Sequence, residues 1–346
     1  MADRLRVGVV GAGANTRLRH IPGLQAIEGM EIVAVCNRSE ESGRRVAEQF
    51  GIGRVVTEPR AIFEADDIDA VVVGTWPYRH REYVIGALEG GKHVLTEARM
   101  AMDAQEAREM LAVARQHPHL VAQIVPSPLD FKSWRTIRRM VTDGSLGEVM
   151  EVHVNVLSGS SLDLGAPLHW RERRDYSGTN TMTLGLYLEA IHRWLGPTQR
   201  VMADGTTFIT SRIDPETGRP HQIDVPDSLG VLAVMESGAR VSYRVSAVTA
   251  ASAGPNGVSI YGSKGTLHWV AGDRMTFAPL GQQAQPLEPD PGTAGDWRVE
   301  ADFVDSIRTG APVLLTNFED GLLYMRVTEA ITRSRLEGRA VEIAEV

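Results

Sequence analysis

Residues 5–39 read LRVGVVGAGANTRLRHIPGLQAIEGMEIVAVCNRS, and this stretch decides the fold. An apolar, β-branched run, Leu5 to Val10, is long enough for one buried strand. It passes into Gly11-Ala12-Gly13, then into a segment with helical spacing, then into a second apolar run, Ile32 to Cys36. Strand, glycine turn, helix and strand make half of a nucleotide-binding βαβ unit. Glycine suits the turn because the chain bends there through unusual backbone angles. It also lets a pyrophosphate reach the unpaired N–H groups of the helix with no side chain in the way. Ala14 and Asn15 continue the turn and join Gly11 and Gly13 as candidate phosphate contacts. The G-x-G-x-x-G fingerprint is incomplete, since Thr16 stands where a third glycine or an alanine usually packs helix against strand. Arg17 either meets the pyrophosphate or is a helix-surface arginine.

The end of the second strand bears on which dinucleotide is bound. An acidic residue there holds a ribose 2′-hydroxyl and repels a 2′-phosphate. Here the position is Asn37, followed by Arg38 and Ser39. A neutral residue, a cation and a hydroxyl suit a phosphate better, so NADP is expected in preference to NAD. The competing reading makes Arg38 a solvated turn residue and lets Asn37 bond a bare hydroxyl.

The 346 residues suffice for two domains, and 43% hydrophobic with 23% charged residues is the composition of a globular protein. A net charge of −8 with no basic block argues against nucleic-acid binding. Cys36 is the only cysteine and falls on an expected buried strand, so no disulfide framework or cysteine metal site is expected. No His/Cys/Asp cluster has ligand spacing, and no metal is expected. The first strand follows the N-terminus closely and no apolar run approaches a membrane span; a cytoplasmic protein without membrane association is expected.

Strands and helices alternate as far as Val125, the pattern of a doubly wound parallel sheet. The loops around Gly11, Asn37, Thr75 and Glu97 follow strand ends and should converge on one crevice. After Pro126 the pattern changes. Runs such as Glu148 to Leu157, Leu229 to Met235 and Arg240 to Val248 alternate apolar and polar residues, as strands of a large, mostly antiparallel open sheet do. A helix from about Met182 to Trp194 should cover one face, and the bare face should pair with another copy as a homodimer or homotetramer. Residues 281–296 read as a loop, and helices are expected over Trp297 to Arg308 and Phe318 to Leu336. The expected domains are 1–125 for the dinucleotide and 126–346 for substrate and assembly, with the last helices packing back on the first.

VGVVGAG, VAVCNRS, GT-x4-H at Gly74 to His80, and ALEGGKHVLTE at Ala87 to Glu97 resemble the glucose–fructose oxidoreductase, inositol dehydrogenase and MocA family. GSLGEV from Gly144, Trp170-Arg171, RWLG from Arg193 and the C-terminal EAITRSRLEGRAV extend the resemblance over nearly the whole chain. It implies a Rossmann domain followed by an α/β domain with an open sheet. It also implies an NAD(P)-dependent oxidoreductase of sugars, cyclitols or related small carbonyl and hydroxyl compounds. On the same ground Thr75, Trp76, His80 and Glu97 are expected beside the cofactor, and Trp170, Arg171 and Thr183 beside the substrate.

Three departures bear on the chemistry. The family's Glu-Lys-Pro is here Glu97-Ala98-Arg99, so the lysine beside the substrate hydroxyl is missing. Thr183 and Tyr187 replace the aspartate and histidine that face the nicotinamide in relatives. Hydride transfer at carbon needs proton transfer at oxygen. Tyr187, a donor when neutral, becomes the candidate acid, with Arg99 or Arg171 as a cation beside it and His169 as a second candidate. A core aromatic is the competing reading of Tyr187. An alternative function is cofactor binding without redox turnover, as a sensor, an assembly partner or in a non-redox step.

Overall fold

A computed structural model describes residues 4–251 and 256–346. The chain forms two compact units, one of Met1–Pro126 with Arg298–Leu322 and the other of Ser127–Trp297 with Leu323–Val346.

The first unit is built on six parallel strands: β1 (Leu5–Val10), β2 (Met30–Cys36), β3 (Arg54–Val56), β4 (Ala70–Val73), β5 (His93–Thr96) and β6 (Ala122–Ile124). Their spatial order is β3-β2-β1-β4-β5-β6. The strand order reverses between β1 and β4, which opens a crevice at their carboxyl ends. Both strands are apolar and inaccessible at their centres, with Val7, Val9, Val71 and Val72 fully buried, as a sheet covered on two faces requires. Cys36 is buried as expected. The helices have legible ends. Glu40–Phe50 starts on Ser39, whose Oγ accepts from Ser42 N–H, and stops at Gly51 in the left-handed region; Asp103 caps Ala104–Gln116. The helix after the glycine turn, residues 14–25, contains a π turn at Thr16–His20, closed by Ile21 N–H on Thr16 O.

The second unit carries a nine-stranded sheet. Its strands are β7 (Val149–Leu157), β8 (Thr198–Thr206), β11 (Ser228–Met235), β12 (Arg240–Ser246), β13 (Gly257–Gly262), β14 (Gly265–Val270), β15 (Arg274–Pro279), β16 (Gln285–Leu287) and β17 (Val341–Glu342). β9 (Ser211–Ile213) and β10 (Pro220–Gln222) form a separate hairpin. The order is β16-β15-β14-β13-β7-β12-β11-β8-β17, antiparallel except for the β7–β12 pair. Alternation decides the faces. Val152 and Val154 of β7 pair with Val241 and Tyr243 of β12, and all four are buried; Glu151, His153 and Asn155 point the other way. The covering helix is Leu184–Leu195, which buries Leu188, Ile191 and Trp194, with Trp194 5.9 Å from Trp269 of β14. It begins two residues later than the expected Met182, because Met182 sits in the left-handed region (φ 45°). The opposite face exposes Met202 and Leu232, which pair across β8 and β11.

Two expectations need correcting. Residues 281–296 are not all loop, since β16 pairs there with β15; its Pro286 is tolerated because the strand lies at the sheet edge. The sheet also gains β17 at its far edge, formed by residues beyond the last long helix, Phe318–Glu337.

Candidate functional site

The glycine turn of the first unit is tightly braced. Gly11 takes φ 83°, and a Cβ there would stand 2.5 Å from the Thr75 methyl and 2.9 Å from Thr75 N, so β1 and the β4 loop approach backbone to backbone. Gly11 N–H bonds Cys36 O, and Ala12 N–H bonds Asn37 Oδ1 at 2.8 Å. The end of β2 therefore holds the turn, and the Asn37 carboxamide serves the loop's own backbone. The first i→i−4 bond of the helix runs from Arg17 N–H to Gly13 O at 3.0 Å, which leaves the N–H groups of Ala14, Asn15 and Thr16 ahead of it. Gly13 and Ala14 are exposed. These amides, uncovered by side chains at a helix start, fit a pyrophosphate.

Thr16 does not block the cradle. Its side chain is buried, with Oγ1 3.3 Å from Gly11 O, and faces Gly74 across the gap to β4. A Cβ on Gly74 would lie 2.1 Å from that Oγ1 and 2.3 Å from Gly11 O. Gly74 thus supplies the clearance that the missing third glycine usually gives.

Other expected cofactor residues lie around this turn or tie its loops together. Glu97, one residue past β5, accepts from Asn15 Nδ2 at 2.6 Å and lies 3.0 Å from His20 Nε2. His80 is buried between carbonyls, Nε2 2.9 Å from Thr75 O and Nδ1 2.9 Å from Arg99 O, and burial pulls its pKa down. Its ring thus sits between the β4 and β5 loops and, when neutral, donates to one of the two carbonyls. Trp76 is half-buried with its ring 6.5 Å from Tyr78. Arg38 and Ser39 are exposed at the end of β2, with Ser39 also capping the next helix. Arg99 is buried.

In the second unit His169, Arg171 and Thr183 line one cavity of about 660 Å³. Trp170 does not line it; its ring carries the Arg171 guanidinium at 4.3 Å. The loop they occupy is held by a reciprocal cap: Arg171 N–H bonds His169 Nδ1 at 3.2 Å, and His169 N–H bonds Glu172 Oε2 at 2.9 Å. Burial, then the Arg171 charge, lower the His169 pKa, so its ring is neutral at pH 7. Tyr187 is not among the cavity residues. It is buried edge-on to Trp269 at 6.4 Å, and burial alone raises its pKa.

Two groups were not visible in the sequence. Arg212 anchors the cavity loop, with Nε on Glu172 Oε1 at 2.9 Å, Nη1 on Asp163 O at 2.6 Å and Nη2 on Ser161 O at 2.8 Å. Asp227 accepts from Phe208 N–H and Ile209 N–H. The Arg212 and Asp227 charges are thus engaged with the protein itself. The second missed group is Glu300, whose Oε1 lies 2.6 Å from His20 Nδ1. Among the described residues no group of three or more His, Cys, Asp or Glu is placed to hold a metal, and no helix is long and apolar enough to cross a membrane.

A parallel sheet with a braced glycine turn at its switch point, followed by an open-sheet unit with its own cavity, defines a dinucleotide-dependent oxidoreductase. Residues 5–124 match the model of an oxidoreductase family with an NAD-binding Rossmann fold, and residues 134–268 match the GFO/IDH/MocA C-terminal domain. The chain belongs to the GFO/IDH/MocA oxidoreductase family. An uncharacterized oxidoreductase, ORF334 of Rhizobium meliloti, is 26% identical over 97% of this chain and 98% of its own. A dTDP-3,4-didehydro-2,6-dideoxy-alpha-D-glucose 3-reductase of Actinomadura kijaniata is 34% identical over 43% of this chain and 44% of its own. Among solved structures, an aldose-aldose oxidoreductase from Caulobacter crescentus complexed with glycerol is similar with TM-score 0.80 and 25% identity, covering 98% of this chain and 99% of that one.

Proposed function

We propose that the protein interconverts a carbonyl and a hydroxyl on a neutral sugar, cyclitol or related small ring, with NADPH preferred over NADH. The observation that carries the reading is the glycine turn, braced by Cys36 and Asn37, with three helix N–H groups presented beyond it. NADPH when bound supplies the hydride. The preference rests on the absence of a carboxylate at the end of β2 and on Arg38 and Ser39 standing exposed there.

The substrate oxygen needs a proton when the hydride arrives. Tyr187 is the proposed donor: burial keeps its phenol protonated at neutral pH, which suits an acid better than a base. Arg99 is the proposed cation beside the developing alkoxide. His169 is the alternative acid, since its Nδ1 accepts from Arg171 and its remaining proton sits on Nε2. The cavity supports a neutral substrate. Arg212, Glu172 and Asp227 spend their charges within the wall and the Arg171 guanidinium packs on the Trp170 ring, while Val156, Ile209, Ile223 and Val225 line the cavity with apolar surface. Such a wall suits the apolar face of a ring better than a phosphate. We infer further that the sheet face carrying Met202 and Leu232 is where copies pair as dimer or tetramer, which light scattering reads.

The second reading, binding without turnover, is favoured by Ala98 and Thr183 standing where relatives carry lysine and aspartate. Fluorescence titration with NADPH and NADH, then a turnover screen over sugars, inositols and keto compounds, separates the two. Tyr187→Phe is expected to lower kcat about 100-fold or more while leaving NADPH affinity intact. Unchanged turnover in that variant retires the tyrosine, and tight NADPH binding with no carbonyl reduced by the wild type supports the second reading.

A further inference from the structure

Four side chains from three segments of the first unit meet in one buried cluster. His20, in the π turn, is inaccessible to solvent. Its Nδ1 lies 2.6 Å from Glu300 Oε1 and its Nε2 3.0 Å from Glu97 Oε1. Asn15 Nδ2 donates to the same Glu97 oxygen and comes within 3.4 Å of His20 Nε2. Glu300 projects from the first turn of the helix Val299–Thr309 into space that Gly23 leaves open: a Cβ there would stand 2.9 Å from Glu300 Cδ.

A neutral imidazole has one N–H and satisfies one carboxylate; with a carboxylate on each nitrogen, both ring positions must donate. The cluster thus holds one imidazolium and two carboxylates, and its surplus negative charge falls toward the less buried one. That is Glu97, whose side chain is 16% exposed against 4% for Glu300. Glu97 Oε1 is saturated by Asn15 and His20. Its Oε2 makes no hydrogen bond among the described residues. A fixed carboxylate with one oxygen committed and one available, just past the carboxyl end of β5, is an acceptor built for a hydroxyl.

We propose that His20 is a positioning residue for the dinucleotide: clamped by Glu300, it fixes the orientation of Glu97, the carboxylate that the family resemblance already leads one to expect beside the cofactor. This rests on the reading that the dinucleotide binds at the glycine turn. The charge state agrees with the geometry. Burial works against the imidazolium, but the Glu300 and Glu97 hydrogen bonds and charges outweigh it and raise the His20 pKa to about 9. Both carboxylates face His20, and Glu97 in turn faces His80 from the helix His80–Glu89 as well as His20.

The test is a fluorescence titration of the full chain with NADPH and NADH between pH 6.5 and 10, on wild type, Glu300→Gln and His20→Gln. Wild-type affinity should hold steady to about pH 8 and weaken roughly tenfold by pH 10 as the clamp loses its proton. In Glu300→Gln this alkaline limb should move at least one pH unit lower, and in His20→Gln it should vanish with weak binding throughout. Superimposable wild-type and Glu300→Gln curves would overturn the positioning role while leaving the cofactor reading intact. Wild type that binds neither nucleotide at any pH overturns the cofactor reading itself. NMR titration of the His20 ring in the nucleotide-free wild type tests the clamp without any variant: a midpoint near 9 is expected, and one near 6.5 overturns it.

Discussion

Arg193 offers the sharpest test of the energetics of the second unit. Its guanidinium is 7% exposed and bonds Asp130 Oδ1 at 2.5 Å and Glu189 Oε1 at 2.6 Å. Asp130 Oδ2 also accepts from Trp194 Nε1, and Glu189 Oε1 from Ser127 N–H, so this cluster ties the covering helix to the segment entering the unit. Burial already pushes the Asp130 pKa up against the pull of Arg193. In Arg193→Ala the two carboxylates keep their neutral donors and lose the cation. Breaking a buried pair from one side costs about 3–5 kcal/mol, because the abandoned charges remain desolvated. With a urea slope of about 2 kcal/mol per molar, that moves the unfolding midpoint down by roughly 2 M. Fluorescence of Trp194 and Trp269, both in this core, follows the transition. The triple variant Asp130→Asn, Glu189→Gln, Arg193→Met removes these three charges together and should recover most of the loss. A cost below 1 kcal/mol for Arg193→Ala, or no recovery in the triple variant, refutes the reasoning.

Gly74→Ala should abolish nucleotide binding and cost at least about 2 kcal/mol, since its Cβ meets both Thr16 Oγ1 and Gly11 O. Adding Thr16→Gly should not rescue it, because the contact with the Gly11 carbonyl remains; equilibrium dialysis and urea melts check both. The His20 pKa is raised from 6.5 to about 9, so its stabilisation is fully present below pH 6.5 and is lost as pH rises through 9. Up to roughly 3 kcal/mol is at stake, and the pH slope of urea stability over that window should disappear in His20→Gln. Tyr243 hides its hydroxyl in the sheet core with no hydrogen-bond partner among the described residues. Tyr243→Phe should therefore leave stability unchanged or raise it by about 1 kcal/mol, and a loss above 1 kcal/mol in calorimetry contradicts this.

Much of the fold was legible because its signals are local. Continuous apolar runs at Ala70–Val73 and the alternation of β7 declare a covered and a half-covered strand. Ser39, Gly51 and Asp103 mark helix ends by their own chemistry. The candidate site was legible only where it is built from backbone, as at Gly11 and Gly13. Its ionic part was not, since His20 and Glu300 are 280 positions apart and a buried pair imposes no periodicity on either segment. The same holds for Arg212, which looks like any polar strand residue until the loop carbonyls close on it. β16 leaves no signal in the sequence because three residues with a central proline resemble a turn until a neighbour lends the ladder. Asn37 is expected beside the ribose by position alone, and the structure shows its side-chain oxygen accepting from Ala12 N–H within the loop.

The contact between Thr16 and Gly74 has a bearing on how such turns are found. What the helix needs to approach the sheet is a gap one methyl wide, and that gap belongs to two facing positions jointly. Here the bulk stands on the helix and the vacancy just past the end of the strand opposite, so a search that tests single positions scores the turn as defective. Scoring the two positions as a sum of volumes would recover this chain, and would also show that exchanging one partner without the other closes the gap.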